Sequence, residues 1–179
     1  MLIGLAGRRQ FGEQHRQEMH HLGFECQWVS SPNDLAKFDG LILSGLVSSD
    51  WSDLPDWINR LKDPLWQQRP LFADGWACSI LAKSKTALMD YHFSFHNQDK
   101  YTAELISAPS WETDRLVAVF HGLAAFHDIA PNIAVLAHNK NRGAIVLRQG
   151  NALACSYLAA CTKNKEIYRY FKGILEKKL

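Results

Sequence analysis

Asp74, Gly75 and Trp76 place a carboxylate and an indole one glycine apart. With the hydroxyls of Ser44, Ser48, Ser49 and Tyr157 on the same rim, they could bind a small polar or cationic ligand. The competing reading gives Asp74 to the cap of the following helix and Trp76 to the filling of space. Eight histidines raise the question of a metal. His20 and His21 are adjacent on a helical segment and point apart. His92 and His96 would share a face only in a helix, and the Phe93-Ser94-Phe95 between them reads as strand. His121 and His127 bracket a helix-like Gly-Leu-Ala-Ala-Phe. With no H-E-x-x-H and no Cys/His cluster, neither a metal nor a cofactor is expected. Cys26, Cys78, Cys155 and Cys161 are scattered without a C-x-x-C pair, which suits a reduced, cytoplasmic protein.

The elements that would position these residues alternate in the first half. Residues 2–6, 24–29, 40–43 and 70–73 are short apolar runs that read as strands. Between them, 11–22 has helical character and stops at Gly23, and Pro32 opens a short helix. Residues 54–62 carry Leu54, Trp57, Ile58 and Leu61 on one stripe, and a further helix spans 77–83. This βαβαβ rhythm predicts a parallel sheet covered on both faces, with ligands at the carboxyl ends of its strands. The loops after strands three and four, and the turn after the last strand, are therefore the places to look. Residues 86–130 are aromatic and mixed, and give no assignment. Strands are expected again at 133–137, 144–148 and 152–156, the last two joined by a tight Gln149-Gly150-Asn151 turn. The end, 163–178, reads as a helix with Ile167, Tyr170, Phe171 and Ile174 facing inward and a lysine-rich solvated face.

The 179 residues suffice for one domain, 1–179, with a full core, and no linker or repeat divides them. Apolar residues make up 47% and charged residues 21%, the balance of a soluble globular protein. A net charge of +2 is too small to imply nucleic acid. No apolar run approaches the roughly 20 residues of a membrane span, and the opening run is too short for a signal peptide. Of Trp51, Trp57 and Trp66, only Trp57 lies on an apolar stripe; core packing is expected for at least two, and exposure would mark a partner surface. Arg8 and Arg9 follow strand one, where they could meet a phosphate or a partner carboxylate, or simply be solvated.

Residues 146–162 read Val-Leu-Arg-Gln-Gly-Asn-Ala-Leu-Ala-Cys-Ser-Tyr-Leu-Ala-Ala-Cys-Thr. This tract resembles the C-terminal signature of the class I glutamine amidotransferases, and most of all that of the glutaminase subunit of pyridoxal 5'-phosphate synthase, V-x-R-Q-G-N-x-L-A-T-S-F-H-P-E-L-T. Other segments follow in the family's order. The chain's opening is similar to M-x-I-G-V-L-A, Asp39–Gly45 to D-G-L-I-L-P-G, and Pro70–Lys83 brackets P-V-F-G-T-C-A-G-L-I-L-L-A-K at identical length. Ala118-Val119-Phe120 matches the start of A-V-F-I-R-A-P, and Val135-Leu136-Ala137 matches V-L-A. The resemblance implies a flavodoxin-like three-layer α/β fold with a mixed, mainly parallel central sheet. It also implies a glutaminase that serves a synthase partner.

The family's reactive positions, however, are substituted here. The resemblance puts its cysteine nucleophile on Gly75, its His on Leu158 and its Glu on Ala160. The G-G-E-S loop that binds glutamine becomes Gly45-Leu46-Val47-Ser48, and the Arg of A-V-F-I-R-A-P is lost from 118–124. A glycine cannot attack an amide, and neither Leu nor Ala can move a proton. The expectation is a catalytically degenerate relative that acts by binding, as a regulatory or assembly partner of a synthase-like protein subunit. One alternative is an active amidohydrolase with a relocated nucleophile, Cys78, and a base such as His121. Another is a small-ligand sensor built on Asp74 and Trp76, with Gly45, Ser48 and Tyr157 completing the candidate binding set.

Overall fold

The computed structural model describes residues 1–45, 48–51, 53–109, 111, 115–163 and 165–177, and the side chains of all of these except 48 and 97–99. Among the described residues, nine strands form one mixed sheet in the order β2-β1-β3-β4-β9-β8-β7-β5-β6. The strands are β1 (Leu2–Gly7), β2 (Glu25–Trp28), β3 (Gly40–Gly45), β4 (Leu71–Gly75), β5 (His92–Ser107), β6 (Arg115–His127), β7 (Ala134–Asn139), β8 (Gly143–Gln149) and β9 (Ala152–Cys155). The half running β2-β1-β3-β4-β9 is parallel throughout. That is the strand order of flavodoxin-like sheets, whose ligands lie beyond the carboxyl ends of the strands. From β9 outward every pairing is antiparallel.

Alternation along the parallel strands builds the two outer layers. Ile3, Leu5, Ile42, Phe72 and Leu153 face one core, which α1 (Arg9–His21) closes with Met19 and α5 (Glu166–Leu175) closes with Phe171 and Ile174. Leu41, Leu43, Leu71 and Ala73 face the other. There α2 (Leu54–Leu61) contributes Trp57 and Leu61, α3 (Pro64–Gln68) Trp66, and α4 (Cys78–Leu81) Ile80 and Leu81. Trp51, Trp57 and Trp66 are all buried, so all three pack in the core. In α1 the buried positions Phe11, His15 and Met19 recur every fourth residue, one face of a helix. Gly23, with φ +89, ends that segment, and its N–H donates to His20 O at 3.0 Å. Ser31 accepts from Asn33 N–H and opens a 3-10 helix at Pro32–Lys37. Among the described residues no helix is long and apolar enough to cross a membrane.

The structure corrects several sequence expectations. β5 and β6 form a long antiparallel ribbon, and the Gly-Leu-Ala-Ala-Phe between His121 and His127 is strand rather than helix. Across the ribbon the register jumps between His96 and Tyr101, opposite Gly122, whose φ of +63 a glycine takes without strain. This bulge breaks the alternation that would have betrayed the strands. The helix after β4 is only four residues long, because Thr86 Oγ1 donates to Ile80 O and the chain turns away. In α5 the fully buried tyrosine is Tyr168, while Tyr170 is only half-buried.

Candidate functional site

β4 delivers Gly75 to the carboxyl edge of the sheet with φ +57, a left-handed conformation that a side chain would strain. The sharp strand-to-helix turn of a nucleophile elbow is thus present. The room for a nucleophile is not. A Cβ on Gly75 would stand 2.8 Å from Gly45 O and 2.9 Å from Leu158 Cδ2. In such an elbow the N–H of the next residue is a natural oxyanion donor. Here Trp76 N–H donates to Gly45 O at 2.8 Å, and Gly75 N–H to Tyr157 O at 3.3 Å.

Apolar side chains fill the space around this turn. Leu158, which is 1% exposed, clusters with Phe11 of α1 and with Ala160. Trp51, 5% exposed, lies over two strand ends: a Cβ on Gly45 would be 2.7 Å from its Nε1, and one on Gly7 would be 2.9 Å from its ring. Trp57 meets Trp51 edge-on, with ring centroids 5.4 Å apart. Trp76 is also buried, capped by Lys85 Nζ at 4.4 Å from its ring. Leu46 and Val47 lie outside the described residues, as does the side chain of Ser48.

Asp74 is the polar centre of this region and has no exposed surface. Its Oδ1 accepts from Ser44 Oγ at 2.6 Å, and its Oδ2 accepts from Ala159 N–H at 2.8 Å. His15 Nε2 stands 3.4 Å from Oδ2, within ion-pair reach but not aligned as a hydrogen bond. On the far side of the imidazole, Nδ1 is 2.8 Å from Tyr168 OH. Burial, reinforced by the Asp74 charge, pushes the Tyr168 phenol well up, so it keeps its proton and can donate to Nδ1. His15 Nε2 faces the carboxylate across that 3.4 Å. One network therefore joins β3, β4, α1, α5 and the turn after β9. Asp74 does not cap α4, whose N-cap residue, Ala77, makes no side-chain bond. Its carboxylate caps the 3-10 turn Ala159–Cys161 instead.

Asp74 and Tyr157 are wholly buried and Trp76 nearly so, so the three do not form the open rim expected from sequence. Tyr157 OH has no hydrogen-bond partner among the described residues, and burial pushes its phenol well up. Cys78 is also wholly buried. Its thiol donates to Cys155 O at 3.1 Å and lies 3.4 Å from Ala73 O, and burial, with Asp74 adding to it, raises it well above a free thiol. His121 sits on β6 between the rings of Phe95 and Tyr101, and no hydrogen bond links it to Cys78. No group of three His, Cys, Asp or Glu among the described residues could hold a metal. Sequence reasoning missed His15 and Tyr168. The available signal was a histidine midway between Phe11 and Met19 on a buried stripe, where a polar side chain needs a partner.

No protein-family model matches the chain. Sequence relatives match nearly end to end. The pyridoxal 5'-phosphate synthase subunit PdxT of Thermotoga petrophila is 25% identical over 184 residues, covering 96% of this chain and 97% of the relative. The PdxT subunit of Geobacillus thermodenitrificans is 27% identical, covering 98% and 96%. Among solved structures, a glutamine amidotransferase superposes with a TM-score of 0.79 at 18% identity, over 97% of this chain and 98% of that one. A second, from Thermotoga maritima, gives 0.69 at 11% identity, over 99% and 84%. The chain has the glutamine amidotransferase fold, and along its length it is similar to PdxT subunits.

Proposed function

We propose that this protein is a glutamine amidotransferase-like chain without the glutaminase reaction, acting by binding as a regulatory or assembly subunit in pyridoxal 5'-phosphate (vitamin B6) synthesis. The observation that carries the reading is the meeting of Gly75 and Leu158. Leu158 Cδ2 lies 2.9 Å from where a side chain at the nucleophile position would begin. The buried, carbonyl-bonded Cys78 gives the relocated-nucleophile alternative no support, since a thiol must lose its proton to attack. The partner in view is a synthase-like protein subunit, because the similar chains are named synthase subunits.

The test is ammonia release from glutamine by the purified chain, alone and mixed with a pyridoxal 5'-phosphate synthase subunit. Release at the level of a protein-free control is expected in both cases. Protein-dependent ammonia, abolished by Cys78→Ser, would reject this reading in favour of a relocated nucleophile.

A further inference from the structure

The antiparallel half of the sheet ends in a ribbon with one wet, apolar face. Across β5 and β6, Ala103 opposes Val119, Leu105 opposes Val117, and Ser107 opposes Arg115. Ile106, Leu116 and Ala118, which point the other way, are buried. Leu105 is 56% exposed and Val117 54%, so a directly opposed aliphatic pair stands in water. The pair opens into a groove of about 520 Å³ between the ribbon and the turn after β9, where Cys161 and Lys163 form the far wall. A second groove of about 430 Å³ shares Leu105 and Arg115 and continues to His138 and Lys140. Among the described residues, Arg115, Lys140 and Lys163 are the cations of this lining, and no carboxylate lines either groove.

Among the described residues, β6 is also the last strand of the sheet. Val119 turns its backbone away from β5: its N–H donates to Thr162 Oγ1 at 3.2 Å, and its carbonyl accepts from Leu158 N–H at 2.7 Å. By the two-residue alternation of an antiparallel strand, Val117 and Arg115 turn the same groups to the same edge. An edge of this kind is a template for one more strand. We propose that it receives an extended segment of a partner protein, apolar at its centre and carboxylate-bearing at its flanks, which pairs along β6 at Arg115 and Val117. The apolar centre covers Leu105 and Val117, and the flanks meet the three cations. A second copy of this chain fits poorly, because it would bring like charges together. The inference rests on the binding reading above and gives that binding a place and a partner chemistry.

Two short synthetic peptides with the same Val-Ile-Val-Leu centre, one flanked by glutamates and one by lysines, would be titrated into the full chain by fluorescence anisotropy. Saturable binding of the acidic peptide, about tenfold or more tighter than the basic one, is expected. Val117→Asp should weaken it about tenfold or more, and Arg115→Glu with Lys163→Glu should invert the preference. Thermal unfolding of each variant checks that the fold is kept. Equal binding of the two peptides, undiminished binding by Val117→Asp, or equally tight binding of a single-stranded oligonucleotide would each overturn the proposal. Glutamine hydrolysis, measured on the same preparation, decides the non-catalytic reading separately. A silent chain that ignores the acidic peptide overturns the docking site alone.

Discussion

A carboxylate with no exposed surface is costly unless every lone pair is used. Asp74 accepts a hydrogen bond on each oxygen, from Ser44 Oγ and from Ala159 N–H, and faces His15 Nε2 at 3.4 Å. Removing it would leave a hydroxyl and an amide unpaired in a dry interior. Asp74→Ala is therefore expected to lower stability by about 3 kcal/mol, with Asp74→Asn falling between it and the parent. Urea unfolding measures this; a loss under about 0.5 kcal/mol would mean that the carboxylate does not tie these elements together. Asp74 stands out in the sequence, but its partners do not. Its bond to Ala159 spans 85 positions, and the contact of His15 with Tyr168 spans 153. A local reading naturally offers the nearer helix terminus as the partner, and the carboxylate reaches across the sheet instead.

Elements were legible in proportion to the regularity of their patterns. The strands of the parallel half are apolar runs between turn signals, and their positions hold to within a residue or two. The ribbon of β5 and β6 resisted because one face is wet, the bulge at Gly122 breaks the period, and Gly-Leu-Ala-Ala-Phe has helical composition. Much of what anchors this ribbon is a polar clamp. Arg142, in the turn between β7 and β8, binds Glu104 through Nε at 3.0 Å and again through Nη2, donates to Gly122 O, and covers the ring of Phe120. The Arg142 hydrogen bond holds the Glu104 carboxyl below the usual range, against a smaller opposing effect of burial. Because the folded value is the lower one, ionised Glu104 contributes stability above the unfolded carboxyl's ordinary value of about 4.3. That contribution is lost as pH falls through the folded value. Glu104→Gln should therefore cost stability at pH 7 and cost less at pH 3. Urea midpoints at the two pH values check this, and a constant gap between parent and variant would count against the clamp.

At the scale of the molecule, the closure of the sheet's carboxyl end is shared among segments far apart in sequence. Trp51 covers the ends of β1 and β3, Leu158 meets Gly75, Phe11 backs Leu158, and Trp76 N–H is committed to Gly45. The matching segments made the fold legible, and the proposed absence of the glutaminase reaction starts from the residues at 75, 158 and 160. The filling was not legible, since Trp51 and Phe11 belong to none of the matched catalytic positions. Introducing only the family's three side chains should therefore fail to give turnover. In Gly75→Cys, Leu158→His, Ala160→Glu, the new cysteine meets the Gly45 carbonyl oxygen at 2.8 Å, and the histidine gives up packing on Phe11. The glutamate brings a second carboxylate next to Ala159, whose N–H already serves Asp74. Overpacking and a buried like-charge pair together should cost on the order of 4 kcal/mol or more. The triple variant is expected to melt well below the parent and to release no ammonia from glutamine. Glutaminase turnover by that variant would mean instead that the filled carboxyl end of the sheet still opens to substrate once those three side chains are in place.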